Sequence, residues 1–403
     1  MTWFIFSSLV WTFATAVLSG PADAQTFTSG STGALGALAP ASNTVITLPA
    51  DGTLNYTTIT IPAGVTVTFQ RNAANTPVTM LATGDVLISG VINVDGSPGG
   101  GYSSSGPAVV AGGLGGPGGF QGGQSGSRGS TNNLPSAGQG PGGGAGSTST
   151  SFYGGGGSYG APSTFVSLLP LFGGSGGGGY PGQSTVSGSS GGGGGGAIVI
   201  ASSTKITVNG TIFARGAAGG YAAGAGSGGA IRLVAPEITG TGVLDTSPGS
   251  GGSPGPTVGR TRLEAFRMNF TGTYGPQNPA PSISTTCGPV TAASVPALAS
   301  LPTIQITSIA GVTVPATTGG SYSTADVSLP PGTTNPVSVV VTGTNLPAGS
   351  TFKLKHIPQF TPGATVMTAA STGTFASSTA TFSVTLPVGQ VSVLNAYSDF
   401  TLP

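Results

Sequence analysis

An internal repeat at an offset of 120 residues constrains this chain more than any other feature. Residues 77–96 read PVTMLATGDVLISGVINVDG and residues 197–216 read AIVIASSTKITVNGTIFARG. Val86, Ile88, Gly90, Ile92, Val94 and Gly96 fall on Ile206, Val208, Gly210, Ile212, Ala214 and Gly216. Further rungs follow: GAIVIA at 196–201 is echoed by GAIRLV at 229–234 and GRTRLE at 259–264, and Gly210 by Gly242 and Gly272, a spacing of 30 to 33 residues. One unit holds three short apolar runs, clearest in Ala197–Ala201, Lys205–Val208 and Thr211–Ala214. Each run is too short to bury an apolar face alone, so stacked units must share one interior, with aliphatics in columns such as Val86/Ile206 and Ile92/Ile212. This predicts a parallel β-solenoid. An antiparallel sandwich is the rival, but it does not require whole units to stay in register. Residues 57–69 (TTITIPAGVTVTF) alternate cleanly and are expected to form an earlier turn or an N-terminal cover.

The repeat is interrupted between its first two full copies. Residues 97–196 hold 39 Gly and a single charge, Arg128. A flexible linker-like loop is one reading of such a segment. The triplet GGL-GGP-GGF at Gly112–Phe120 supports another. Three residues per turn is the polyproline-II period, and glycine lets such helices pack closely enough to pair one another's peptide groups. Runs at 142–144, 154–157, 176–179 and 191–196 supply partners.

Composition excludes several classes. Ten basic and nine acidic side chains in 403 residues leave no basic stripe for nucleic acid. Two Glu and three Lys argue against a helical bundle. Glycine does not recur at every third position throughout, which excludes collagen. Residues 1–24 carry an apolar run from Trp3 to Leu18, then Gly20-Pro21 and Ala22-Asp23-Ala24, and read as a signal peptide cut after Ala24. No later stretch has the length of a membrane span, so an extracellular or cell-surface protein is expected. Cys287 is the only cysteine. The expected organisation is an N-terminal segment at 25–55, the solenoid at 56–276, a linker at 277–300 and a second unit at 301–403. In that unit Val337–Val341, Thr351–Ile357, Ala380–Leu386 and Gln390–Ala396 read as strands of an immunoglobulin-like β-sandwich without the cysteine pair.

Three resemblances rest on these residues. LISGVINVDG at 87–96, GGAIVIA at 195–201 and GSGGAIRLVAPEITGTGVLD at 226–245 resemble secreted bacterial glycine-rich proteins of the parallel β-helix type. The insertion is similar to the stacked polyglycine helices of phage tail-fibre adhesins. The last hundred residues look like immunoglobulin-like repeats of bacterial surface proteins. Together these imply an adhesin or surface protein, with polysaccharide-cleaving enzymes as the second group, and they carry over no catalytic residue.

Polysaccharide cleavage needs paired carboxylates. Asp95 aligns with Arg215 at the 120 offset and Asp245 lies 30 residues further on; all three are expected to point outward. An ion-pair ladder on the solenoid wall is the plain account of them. Arg232 and Arg262 share a register near Glu264. His356 is the only histidine and lies in a strand, so no metal site or cofactor is expected. G-x-S-x-G occurs at 156–160, 173–177 and 188–192, as chance dictates in Gly/Ser-rich sequence. The best candidates for partner binding are Phe120, Phe152, Tyr153, Tyr159, Phe165, Leu168, Leu169, Phe172 and Tyr180, spaced among the glycines of the insertion. They either pin the insertion in place or meet a glycan, a matrix or another surface protein, self-association included. The expected function is structural and adhesive rather than catalytic, with a polysaccharide lyase or hydrolase as the alternative.

Overall fold

The computed structural model describes residues 27–106, 108–129, 133–159, 168, 171–275, 286–287, 302–347 and 349–399. The expected signal peptide, most of the expected linker, Phe165 and Leu169 lie outside the described residues.

Sixteen short strands and a seventeenth at its end form three parallel sheets. Strands β1 (Thr44–Thr47), β2 (Thr53–Tyr56), β3 (Ile59–Ile61) and β4 (Thr66–Gln70) make the first windings. Next come β5 (Val78–Ala82), β6 (Val86–Ile88) and β7 (Val91–Asn93). After the insertion follow β8 (Ala197–Ser202), β9 (Lys205–Val208), β10 (Thr211–Phe213), β11 (Ala230–Val234), β12 (Glu237–Gly240) and β13 (Val243–Asp245). The last are β14 (Arg260–Ala265), β15 (Arg267–Phe270), β16 (Thr273–Tyr274) and β17 (Thr286–Cys287). The sheets run β1-β4-β7-β10-β13-β16, β17-β14-β11-β8-β5-β2 and β15-β12-β9-β6-β3. They are the three walls of a β-solenoid, which reaches upstream to Thr44.

The aliphatic columns expected from the repeat are present. Ile92 pairs in register with Ile212 and Val86 with Ile206, both on parallel strands. Alternation of side chains then sends Ile198, Ile200, Ile231, Leu233 and Leu263 into one continuous interior. The corners explain the glycine echo. A Cβ on Gly210 would overlap the carbonyl oxygen of Gly90, and one on Gly242 that of Gly210, because successive windings stack Cα on carbonyl there. The outer face of the β8–β11 wall is covered as well: Phe27 packs on Leu81, Ala201 and Val234, while Tyr159 and Leu168 pack on Ala197 and Ala230.

One register differs from expectation. Leu244 pairs with Ile212 and Asp245 with Phe213, so Asp245 does not stand opposite Arg215. The step between these windings is 32 residues, and only the next step, from Ile238 to Met268, is 30.

The C-terminal unit is the expected two-sheet sandwich. Strands β18 (Thr303–Ile309), β19 (Val312–Thr313), β20 (Val337–Thr344), β23 (Thr372–Gly373) and β24 (Ser378–Val384) form one antiparallel sheet. Strands β21 (Thr351–Pro358), β22 (Thr365–Ala370) and β25 (Ser392–Asp399) form the other. Val339, Val341, Phe352, Leu354 and Phe382 fill the space between them. His356 on β21 is buried, and its Nε2 meets Ser392 Oγ at 2.9 Å; burial holds its pKa below the ordinary value.

Candidate functional site

The glycine-rich insertion contains almost no strand, yet its backbone is paired throughout its core. Along 190–196 the N–H groups donate in turn to the carbonyls of Gly100, Gly123, Gly224, Ser97, Phe120, Ser227 and Val94, at 2.7–3.0 Å. Every third residue therefore returns to the same neighbouring segment. The carbonyls rotate in the same way: those of 189–195 accept from Tyr180, Gly220, Gly113, Gly177, Ala217, Gly116 and Gly174. A three-residue rotation is the period of a polyproline-II helix. Six segments thus surround 187–196: three accept from its N–H groups (94–101, 119–127, 223–229) and three donate to its carbonyls (110–116, 173–182, 214–220). The 173–182 segment has the same surroundings, donating to 133–139, 153–159 and 187–196 and accepting from 119–127, 143–147 and 223–229. The result is a close-packed array of extended segments.

This packing dictates the composition. A Cβ on any residue from Gly191 to Gly196 would collide with the backbone of a neighbouring segment. Several of the side chains that do fit are buried serines whose hydroxyl replaces a carbonyl as acceptor: Gly142 N–H donates to Ser175 Oγ, Gly100 N–H to Ser190 Oγ and Val110 N–H to Ser125 Oγ. Buried amides left unpaired cost about 1–3 kcal/mol each, so the serines are structural.

Hydrogen-bond register fixes how the array stands on the solenoid. The segments 94–101 and 214–220 continue directly from β7 and β10, and 187–196 leads directly into β8. Gly196 pairs with Val94 near the wall, and Ser190 pairs with Gly100 away from it. Nine residues at about 3.1 Å each carry the array roughly 28 Å outward. At its base, Asn75 Nδ2 donates to the Gly119 carbonyl and Arg71 Nη1 to that of Gly115. Along one flank it carries the sandwich. Lys355 on β21 is only 4% exposed, and its Nζ donates to the carbonyls of Gly138, Gly140 and Gly143 at 3.4, 2.8 and 3.4 Å. Burial lowers its pKa to about 8. Gly146 N–H donates to Pro362 and Gly140 N–H to Asn395 Oδ1, while Ala137 packs on Ile357 and Val393.

The aromatic candidates separate by position. Tyr159 stacks on Phe172 at 5.2 Å between centroids and, with Leu168, sits against the solenoid wall. Arg260 lies 5.7 Å from the Tyr159 ring, and burial raises that phenol's pKa. Phe120 is half-buried beside Gly140, and Tyr180 is buried with its hydroxyl donating to the Thr150 carbonyl at 2.6 Å. Phe152 and Tyr153 are 66% and 61% exposed, at the far end of the array. Two residues not singled out from the sequence join them there: Tyr221, 64% exposed, and Tyr102, 47% exposed, with ring centroids 5.0 Å apart. Tyr221 also meets Tyr180 edge-on at 6.1 Å. These side chains come from three separate turns, at 102–106, 148–153 and 219–222. Their convergence follows from array register, which leaves no sign in the local sequence.

The carboxylates of the solenoid are engaged with basic, backbone or hydroxyl groups. Asp95 Oδ2 accepts from Arg215 Nε and Nη2 at 3.1 and 2.7 Å, and Asp95 Oδ1 from the Arg215 N–H. Hydrogen bonding to Asp95 holds the Arg215 pKa above its ordinary value. Asp245 accepts from Ser247 N–H. Glu264 takes Nε of both Arg232 and Arg262 at 2.7 Å. Burial alone would push the Glu264 carboxyl up, but the two guanidiniums outweigh it and hold its pKa below the ordinary value. No group of three or more His, Cys, Asp or Glu among the described residues is placed to hold a metal ion, and no helix among them is long and apolar enough to cross a membrane. No protein-family model matches this chain, and neither a curated protein nor a solved structure matches it.

Proposed function

We propose that this is a secreted or cell-surface structural protein that adheres through the far end of its glycine array. One observation carries the reading: Tyr102, Phe152, Tyr153 and Tyr221 are exposed together at the end of a stiff, nearly uncharged projection. Large aromatic side chains left in water as a group mark a contact surface. Their flat apolar faces and phenol hydroxyls suit sugar rings or another protein surface. The solenoid provides a rigid base, and the sandwich braces one flank of the array.

The test is the quadruple variant Tyr102→Ala, Phe152→Ala, Tyr153→Ala, Tyr221→Ala. Deleting the insertion would also remove the seat of the sandwich, so substitution is the cleaner experiment. The parent protein is expected to bind members of a glycan array or intact cell surfaces, and the variant to lose that binding while keeping its melting temperature. Equal binding by the two proteins, or depolymerisation of a polysaccharide by the purified parent, overturns the proposal.

A further inference from the structure

An open groove of about 490 Å³ runs along the side of the array, walled by residues 142–146, 153–158 and 253–257. We propose that this groove takes an extended glycine-rich polypeptide strand, which would complete the array as one more three-fold segment. The inference does not rest on the adhesive reading of the far end.

The peptide groups of the walls carry the argument. In the 153–158 wall, the carbonyl of Gly154 accepts from Ser253 N–H, that of Gly155 from Gly178, and that of Gly157 from Thr257. Gly156 lies between them in the rotation, and its carbonyl receives no N–H from the described residues. In the 142–146 wall, the N–H of Gly144 donates to Gly176 and that of Gly146 to Pro362. Exposed Ala145 lies between these, and its N–H has no acceptor among the described residues. Gly255, on the third wall, has no backbone partner among them either, and a Cβ on it would meet nothing. The groove thus offers a donor and acceptors beside walls that continue the array. In the interior, glycine strands with rotating N–H and C=O groups occupy such positions.

The walls also select the occupant. They carry no charged side chain, so nothing in them recognises an acidic or basic ligand. They are mostly glycine, and interior neighbours at this packing distance cannot accept a Cβ. Tyr153 is the one aromatic residue in the lining. A wall of five residues, at about 3.1 Å each, matches a guest of four to five residues in the same conformation.

The test uses a capped heptapeptide with the sequence of residues 173–179, Gly-Gly-Ser-Gly-Gly-Gly-Gly, titrated into the full-length protein and followed by saturation transfer to the peptide. Binding in the millimolar range is expected, weaker by at least about fivefold for the peptide with alanine in place of glycine. Ala145→Pro deletes the unpaired N–H and keeps a φ compatible with the three-fold conformation. It should leave the melting temperature unchanged and weaken the heptapeptide by at least about threefold. Tyr102→Ala/Tyr221→Ala should bind the heptapeptide as the parent does. Dimers in sedimentation that the peptide disperses would support the proposal and identify the strand as belonging to a second copy. No transfer to the glycine peptide, equal transfer to the alanine peptide, indifference to Ala145→Pro, or loss of binding in the Tyr102/Tyr221 variant overturns the proposal.

Discussion

Replacing Gly194 by alanine adds one methyl group at the centre of the array. The new Cβ would overlap the carbonyl carbon and oxygen of Gly174 and come within 2.8 Å of Ser175 N. Ordinary contact needs about 3.5 Å, so the 173–182 segment must retreat by more than about 1 Å. That movement stretches two bonds made by the Gly174 peptide groups: its N–H to the Gly195 carbonyl at 2.7 Å and its carbonyl from the Phe120 N–H at 2.9 Å. Two buried backbone hydrogen bonds weakened at about 1–3 kcal/mol each, with overpacking of about 1–3 kcal/mol, give a loss of about 3–9 kcal/mol. That is a large share of the roughly 5–15 kcal/mol that holds a typical protein folded. The control is Gly101→Ala, where a Cβ meets nothing and the backbone has no left-handed φ. Removing glycine there is expected to be neutral or stabilising by up to about 1 kcal/mol. Thermal and urea unfolding, followed by circular dichroism on both variants, reads the difference. If Gly194→Ala melts with Gly101→Ala, the segments are not in contact and the reasoning fails.

Other perturbations test other parts of the structure. Glu264→Gln removes the one carboxylate shared by Arg232, whose side chain is 2% exposed, and Arg262; breaking a buried pair this way is expected to cost about 3–5 kcal/mol in urea unfolding. Because the folded-state pKa of Glu264 is depressed, its contribution is present above its unfolded pKa and fades as pH falls through the folded value; the glutamine variant should lack that acid dependence. Lys355 obeys the same rule at higher pH, since its folded pKa of about 8 also lies below the ordinary 10.5. The unfolded chain binds the extra proton between those values, so stability should rise from pH 8 to 10.5 in the parent and stay flat in Lys355→Met. Ile212→Ala opens a hole beneath Ile92 and Leu244 in the solenoid interior and should cost about 2–5 kcal/mol by the same assay.

The solenoid was legible because two signals agree along the chain. Aliphatics alternate within each run, and Gly90, Gly210, Gly242 and Gly272 mark the same corner of successive windings. The misplacement of Asp245 shows how the reading fails. A step of 30 puts Asp245 opposite Arg215, whereas the step from Gly210 to Gly242 is 32, and the corner glycine sets the register. The insertion was legible only as a period. GGL-GGP-GGF shows three-residue spacing, but which segments lie together depends on backbone pairing that no side chain encodes. For that reason Tyr159 and Tyr153, alike in their glycine-rich context, end on opposite sides of the burial divide, and Tyr221 comes from beyond the insertion to join Tyr102. The docking of the sandwich was hidden for a related reason. Lys355 lies on the outward side of its strand, where a charge reads as solvated, and its partners are carbonyls of glycines some two hundred residues away.

Amide hydrogen exchange across residues 187–202 measures the central claim directly, because this stretch passes from the glycine array into β8 without a break. If every N–H from Ser190 to Gly196 is held by a neighbouring segment, those amides exchange as slowly as Ala197–Ser202 in the solenoid wall. Exchange of the glycine amides at the rate of an unstructured peptide, with the β8 amides still protected, would contradict the account.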